Sequence, residues 1–372
     1  MPPSIPIQRA PGSPVPGFDY PRNWDEFLAF FPDEHACLGY LERLSWPDGF
    51  VCGRCGGGGE PWRGSRRRLV CRSCGHGSTV TAGTLFQGTR TPMPVWFQAA
   101  WRVSTADEGV SARRLQRDLG LGSYETAWAI LHRLRRAMVR SGRPRLEGVV
   151  EVGRTFVPVG GDRAVIAVAV EDRGAEAGRV RMQPLASARD AQLLRFVTWA
   201  VEPGATVVPD RMRDPTAVAR LGWGSGASVS PGAPTPGAAP GPPGGPRAGE
   251  GAGLPGGAEA AEAVRPLDHG SSAGLGGAAP FAHLRAVQRS LGDWLLRTHQ
   301  GATTIDQLDW YLDEFTFRFN RRSARHRGLL FYRLLEEALV TPPQPLGAMA
   351  APERGSRARD ARHLHAGGRA PA

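Results

Sequence analysis

Two cysteine pairs constrain this chain more than any other feature. Cys52 and Cys55 form one C-x-x-C turn, Cys71 and Cys74 form a second, and fifteen residues separate the pairs. Glycine follows the second cysteine of each pair, as Gly56 and Gly75. Two such knuckles brought together place four thiolates tetrahedrally around one Zn²⁺. Four thiolates leave no open coordination position, so the zinc expected here is structural, and the ribbon that holds it folds only with metal. The competing reading is four unrelated thiols. Cys37 lies in a helical pattern with no Cys or His at ligand spacing and reads as a buried structural thiol.

Between the knuckles run Arg63, Arg66, Arg67 and Arg68. They form either a strand and turn suited to phosphates or a solvated charged loop. Charge bears on that choice. The formal net charge is +11 over 372 residues, and all 46 basic residues are Arg. Guanidinium forks match phosphates and guanine edges. A positive excess of this size points to a polyanion, with nucleic acid ahead of a membrane surface. No apolar run reaches the length of a membrane span. The Pro-rich N-terminus lacks a signal-peptide apolar core. The expectation is a cytoplasmic, non-membrane chain whose five cysteines are thiols or metal ligands rather than disulfides.

Composition and periodicity divide the chain. Residues 1–20 read as a disordered leader, 21–91 as N-terminal helices and the zinc ribbon, and 92–147 as DNA-binding helices. Residues 148–223 carry three β-rich runs, VVEVGRTFV, RAVIAVAVE and GRVRMQPL, then a helix at about 189–201 and a strand, ATVVPD. Residues 224–280 are almost all Gly, Ala, Pro and Ser, a composition too poor in apolar surface to offset its ordering entropy. They are expected to be disordered. Residues 281–340 are helical again, and 341–372 form an Arg-, Ala- and Pro-rich disordered tail. The fold class is α/β multidomain.

Within 109–140, Ser111 can cap a helix over 112–119, Gly120 and Gly122 make a turn, and a second helix starts near Tyr124. Its apolar stripe is Ala127, Ile130, Leu131, Leu134 and Met138, with His132, Arg135, Arg136 and Arg140 opposite. This is either a helix-turn-helix whose basic second helix enters a major groove or an ordinary helical hairpin with a solvated face. The candidate DNA-contacting residues are Arg66, Arg67, Arg68, Arg135, Arg136 and Arg140.

The strings VCGRCG, CRSCGHGSTVTAGTLFQGTRTPMPVWFQAAW and GVSARRLQRDLGLGSYETAWAILHRLRRAM resemble the N-terminal half of bacterial insertion-sequence transposases of the zinc-ribbon, ISXO-two-like group. The likeness continues through LEGVVEV, VEPGATVVPD and WLLRTHQGATTIDQLDWYLDEFTFRFNRRSARHRGLLFYRLL. It implies an RNase H-like catalytic domain, in which three antiparallel strands precede a helix and a parallel strand. It also implies binding to transposon-end DNA, a homo-oligomer in the functional state, and phosphoryl transfer with Mg²⁺ held by carboxylates.

This chain departs from that pattern in two places. Where the family has VEVDETYVGG, it reads VEVGRTFVPVGG, which puts Gly153 at the first metal-binding Asp and Arg154 after it. Glycine supplies no ligand, and Arg154 is expected to set a fixed charge beside the cation. Glu151, the nearest substitute, lies on the same face but roughly 6–7 Å along the strand. Asp210 survives as the second carboxylate and Asn320 is the candidate third ligand, with Asp313 and Glu314 as fallback acids and Asp214 a surface acid. The other departure is 224–280, either a stretch read out of the ancestral frame or a flexible insertion. Three functions follow: a transposase by descent with catalysis lost, an active one using Glu151, Asp210 and Asn320, or a non-enzymatic DNA binder that regulates or competes with intact copies.

Overall fold

Helices α1 (Trp24–Phe30) and α2 (Glu34–Ser45) begin on side-chain caps. Asn23 accepts from the Glu26 N–H and Asp33 from the Ala36 N–H, which satisfies donors that a first helical turn leaves open. The computed structural model describes residues 13–106, 109–138, 143–225, 281–299 and 305–343. After α2 comes an antiparallel ribbon of β1 (Trp62–Arg63), β2 (Leu69–Val70) and β3 (Gly77–Ser78). Three helices follow, α3 (Met93–Thr105), α4 (Ala112–Asp118) and α5 (Tyr124–Ala137). Ser111 caps α4 and Ser123 caps α5. Gly120 takes φ +61° in the turn between them, a conformation that glycine adopts at low cost.

The second half is a mixed sheet. β4 (Val149–Val159), β5 (Asp162–Asp172) and β6 (Ala177–Leu185) form an antiparallel meander. α6 (Asp190–Ala200) then leads to β7 (Thr206–Pro209), which pairs parallel to β4. α7 (Thr216–Arg220) leads to β8 (Gly224–Ser225), parallel to β7. The spatial order is β6-β5-β4-β7-β8.

Both faces of the sheet are covered. Val150, Val152, Ala167 and Ala169 pack against α6 and α7. Val157, Ile166, Val168 and Val170 pack against α8 (Ala282–His299) and α9 (Leu308–Phe319). A strand buried on both faces needs a continuous apolar run rather than alternation, and β5 supplies one in AVIAVAV.

The division read from sequence needs three corrections. The leader is shorter than expected, because Tyr20 is buried and the Tyr40 hydroxyl donates to the Asp19 carbonyl; residues 1–12 lie outside the described residues. Gly224 and Ser225 belong to the sheet, while 226–280 and 344–372, expected to be disordered, lie outside the described residues. Finally, within 281–340 only α8 and α9 pack on the sheet. α10 (Gly328–Val340) completes the N-terminal helical core instead, with Leu330, Phe331, Leu334, Leu335 and Ala338 packed among α1, α2, α3 and α5. Periodicity shows that such a helix needs an apolar partner and does not say which one. Gly328 meets the chain so closely that a Cβ there would overlap the Pro21 carbonyl.

Phe331 is the centre of this head. Its ring centroid lies 5.5 Å from those of Phe27 and Trp101, 5.6 Å from Phe31 and 5.8 Å from Phe97. Phe331→Ala is expected to destabilise the head by about 3–5 kcal/mol in denaturant unfolding. A loss below about 1 kcal/mol would mean that α10 is not part of the head's core.

Candidate metal centre and nucleic-acid interface

The four cysteine sulfurs lie within 4.8 Å of one another. Cys52 and Cys74 are 3.7 Å apart at Sγ, as are Cys55 and Cys71. A tetrahedral zinc with Zn–S of about 2.3 Å requires sulfur pairs about 3.8 Å apart, so the cluster fits the ion. The knuckles are local constructions. Gly56 donates to the Cys52 carbonyl and Gly75 to the Cys71 carbonyl, both at 2.9 Å, with φ near +69° and +68°. The N–H groups of Arg54 and Gly57 reach the sulfurs of Cys52 and Cys55 at 3.4 Å. Backbone N–H donors from Cys74 and Ser73 hold the Cys71 thiol down at about 6, which favours the thiolate that metal needs. Cys37 is fully buried, and burial pushes its thiol up to about 12, as suits a packing residue.

The arginines between the knuckles have mostly internal partners. Arg63 makes a two-pronged contact with Glu42 at 3.2 and 2.8 Å, and Arg67 pairs with Glu34 at 2.7 Å. Both therefore dock the ribbon on α2. A phosphate at Arg67 would compete with Glu34 for the guanidinium. Arg68 is exposed, with its guanidinium over Gly77. The Arg66 side chain lies outside the described residues.

α5 is not an exposed recognition helix. Arg135 is 1% exposed; its Nε donates to Glu314 at 2.7 Å, its Nη2 to the Val110 carbonyl at 3.2 Å, and its guanidinium sits 4.6 Å from the Tyr311 ring centroid. His132 is buried between Trp128 and Trp310. α5 thus buries two stripes, one in the head and one against α9. The sequence contains Arg135 on a polar face but carries no sign of the α9 carboxylate that would take it inward. Arg136 is half-buried, and Arg140 lies outside the described residues. The exposed basic helix is α4. Ala112 and Leu115 face the core, while Arg113, Arg114 and Arg117 face solvent. The i, i+3 pair of small and apolar residues was the available signal for that face.

The sheet domain brings only part of the expected acidic site together. Asp210 donates its N–H to the Val152 carbonyl at 2.7 Å, which sets it beside position 153. A Cβ built on Gly153 would lie 3.3 Å from the Asp210 Cβ, but also 2.7 Å from the Leu284 Cδ2 of α8. The space of the missing side chain is therefore largely filled. Glu151 is buried and accepts from the Leu284 N–H at 2.6 Å, so it caps the start of α8; burial raises its carboxyl, and that N–H opposes the rise. Asn320 does not approach Asp210. Its side chain accepts from the Val180 N–H at 2.7 Å and donates to the Val180 carbonyl at 3.1 Å. β6 and β7 are separated by β5 and β4, an offset of about 14 Å at ordinary strand spacing.

Arg154 points to the opposite face from Gly153. It donates to Asp190 at 2.8 Å, to the Arg211 carbonyl at 3.0 Å and to the Ala188 carbonyl. Its charge therefore braces α6 against the loop after β7 and is paired with Asp190. Glu314 is committed to Arg135, and Asp313 lies 3.8 Å from Arg143. Asp214 bonds Thr216 and Arg220 on the surface, as expected. Asp210, Asn320, Asp313 and Glu314 are thus held by separate partners or elements. Among the described residues, the four cysteines are the one set of three or more His, Cys, Asp or Glu placed to hold a metal.

A family model described as a transposase zinc-ribbon domain, of the IS1595 type, matches residues 32–77. An uncharacterized protein in transposable element ISH50 of Halobacterium salinarum is 29% identical over 136 residues, which cover 35% of this chain and 44% of that protein. The alignment thus spans less than half of this relative. No solved structure matches the chain. Among the described residues no helix is long and apolar enough to cross a membrane.

Two outcomes are expected. Arg135→Ala leaves the buried Glu314 with only the longer contact to Arg318, at 3.9 Å, and should cost about 3–5 kcal/mol, whereas joint replacement of Arg135 by Met and Glu314 by Leu should recover most of it. Denaturant unfolding of the parent and the two variants measures this, and equal stability of the single and double variants would contradict it. Metal analysis should find about one zinc per chain, lost on Cys71→Ser. Retention of zinc by that variant would refute the four-thiolate site.

Proposed function

We propose that this transposase-related chain is a DNA-binding protein of insertion-sequence descent that has lost the strand-transfer chemistry of its family. The observation that carries the loss is Gly153 beside Asp210 with Leu284 in the space where a ligand would project. The family chemistry needs carboxylates converging on paired metal ions, and here Glu151 caps α8 while Asn320 holds the far edge of the sheet. Descent is supported by the ribbon match and by the strand order. An antiparallel meander followed by parallel strands on the β4 side is the arrangement an RNase H-like domain has.

DNA binding is supported by the +11 charge, the ribbon and the solvent-facing arginines of α4. We assign Arg113, Arg114 and Arg117 to the phosphate backbone of transposon-end DNA, where phosphate competes with Asp118, 3.6 Å from Arg114 and 3.8 Å from Arg117. They lie on a helix held by a side-chain cap, and Arg113 also rests 5.7 Å from the Tyr124 ring centroid. Backbone neutralisation releases counterions and gives a steep salt dependence. Regulation of, or competition with, intact copies is the role left to such a protein.

Two measurements test this. Transposon-end DNA incubated with the chain and Mg²⁺ or Mn²⁺ should show neither cleavage nor joining, and Gly153→Asp with Arg154→Glu should not restore them, because Arg154→Glu sets a second acid beside Asp190 and no third ligand arrives. Strand transfer by the unaltered chain would overturn the loss of catalysis. In binding titrations, replacing Arg113, Arg114 and Arg117 together by Ala should lower the log–log salt slope by about 2–3. An unchanged slope would remove α4 from the DNA surface.

A further inference from the structure

We infer that the ribbon carries a stacking platform for an unpaired DNA base, built from Trp62 with Arg72 beside it; this rests on the DNA-binding reading above. Trp62 is 56% exposed on the outer strand of a sheet only three strands wide. Leu69, Cys52 and Cys71 in the same ribbon are buried. Arg72 lies next to the metal knuckle and places its guanidinium 5.9 Å from the Trp62 ring centroid.

Charge selects the occupant. Residues 51–80 contain six Arg against one Glu, with no Asp. Arg63 and Arg67 are engaged by Glu42 and Glu34. Arg54 and Arg72 remain solvent-facing on the two knuckles, and Arg72 lies beside the flat aromatic surface. Stacking of a base on an aromatic ring, with phosphates held by nearby arginines, is the chemistry of single-strand platforms. Base faces in a continuous duplex are already stacked on one another. An indole projecting from a two-residue strand meets a base face only at an open end or in an unpaired stretch. The chemistry therefore favours DNA with unpaired bases over duplex.

The test uses the full zinc-loaded chain and fluorescence anisotropy with two probes, a short oligo(dT) and a duplex closed by hairpins at both ends. Trp62→Ala should weaken oligo(dT) binding about 5- to 100-fold, while Trp62→Phe, which keeps a ring, should retain most of it. Binding of the closed duplex should change by less than about twofold. Arg72→Ala should weaken both probes. Unchanged zinc content in Trp62→Ala separates a lost platform from a lost ribbon. The inference falls if Trp62→Ala binds oligo(dT) as the parent does, if it loses both probes equally, or if the parent binds closed duplex but not oligo(dT). If the parent binds neither probe, the DNA-binding reading itself falls with it.

Discussion

The buried pair of Arg135 and Glu314 sets the position of everything on the C-terminal side of the sheet. Both side chains are almost fully enclosed, at 1% and 0% exposure. Taking two charges out of water is costly, and the cost is tolerable only in good geometry with further hydrogen bonds. Here the guanidinium also finds the Val110 carbonyl and the Tyr311 ring, and one turn later Arg318 donates to the carbonyls of Val103 and Ala106. These contacts fix both the rotation and the height of α9. One side of α9 faces the sheet through Leu308, Tyr311, Leu312 and Phe315, while Phe317 enters the helical head. With α9 fixed, Asn320 at its end lands on Val180 at the β6 edge and cannot reach Asp210.

The other half of the site is set by α8. Its start is held by Glu151 through the Leu284 N–H, and that anchoring brings Leu284 over Gly153. Glycine permits this approach, since any Cβ at 153 would press on the Leu284 methyl. The missing side chain and the close helix are thus one packing solution. An acid at 153 would have to displace a fully buried leucine from the core beneath α8. Arg154, on the other face, has its own task with Asp190 and the loop after β7. Its charge is neutralised by a carboxylate that sequence distance alone would not have linked to it.

Local chemistry was legible in the sequence, and long-range partnership was not. The knuckles, the cap at Ser111, the meander and the strand after α6 all follow from patterns within a few residues. The adjacency of positions 153 and 210 was legible only through the family likeness. Arg135 read as surface because its face is polar within α5, and nothing near it in sequence announces Glu314. Arg67 read as a phosphate ligand for the same reason, with Glu34 on another helix. Arginine is ambiguous in this chain because it is the only basic residue type. Its long stem and fork serve buried pairs, ring contacts and phosphates alike, so only placement divides those tasks.

That division bears on how the helical head and the sheet domain depend on one another. α10 closes the head's core through Phe331, and the Ala338 carbonyl receives the Leu85 N–H from the loop after the ribbon. The chain reaches α10 only through α8 and α9, and both of those helices are buried against the sheet. A head truncated after α5 would expose the aromatic pocket around Phe27, Phe31, Phe97 and Trp101. An exposed apolar patch of that kind favours aggregation. The ribbon-bearing head therefore depends on the packing of α8 and α9 against the sheet, because only that packing delivers α10 to its core.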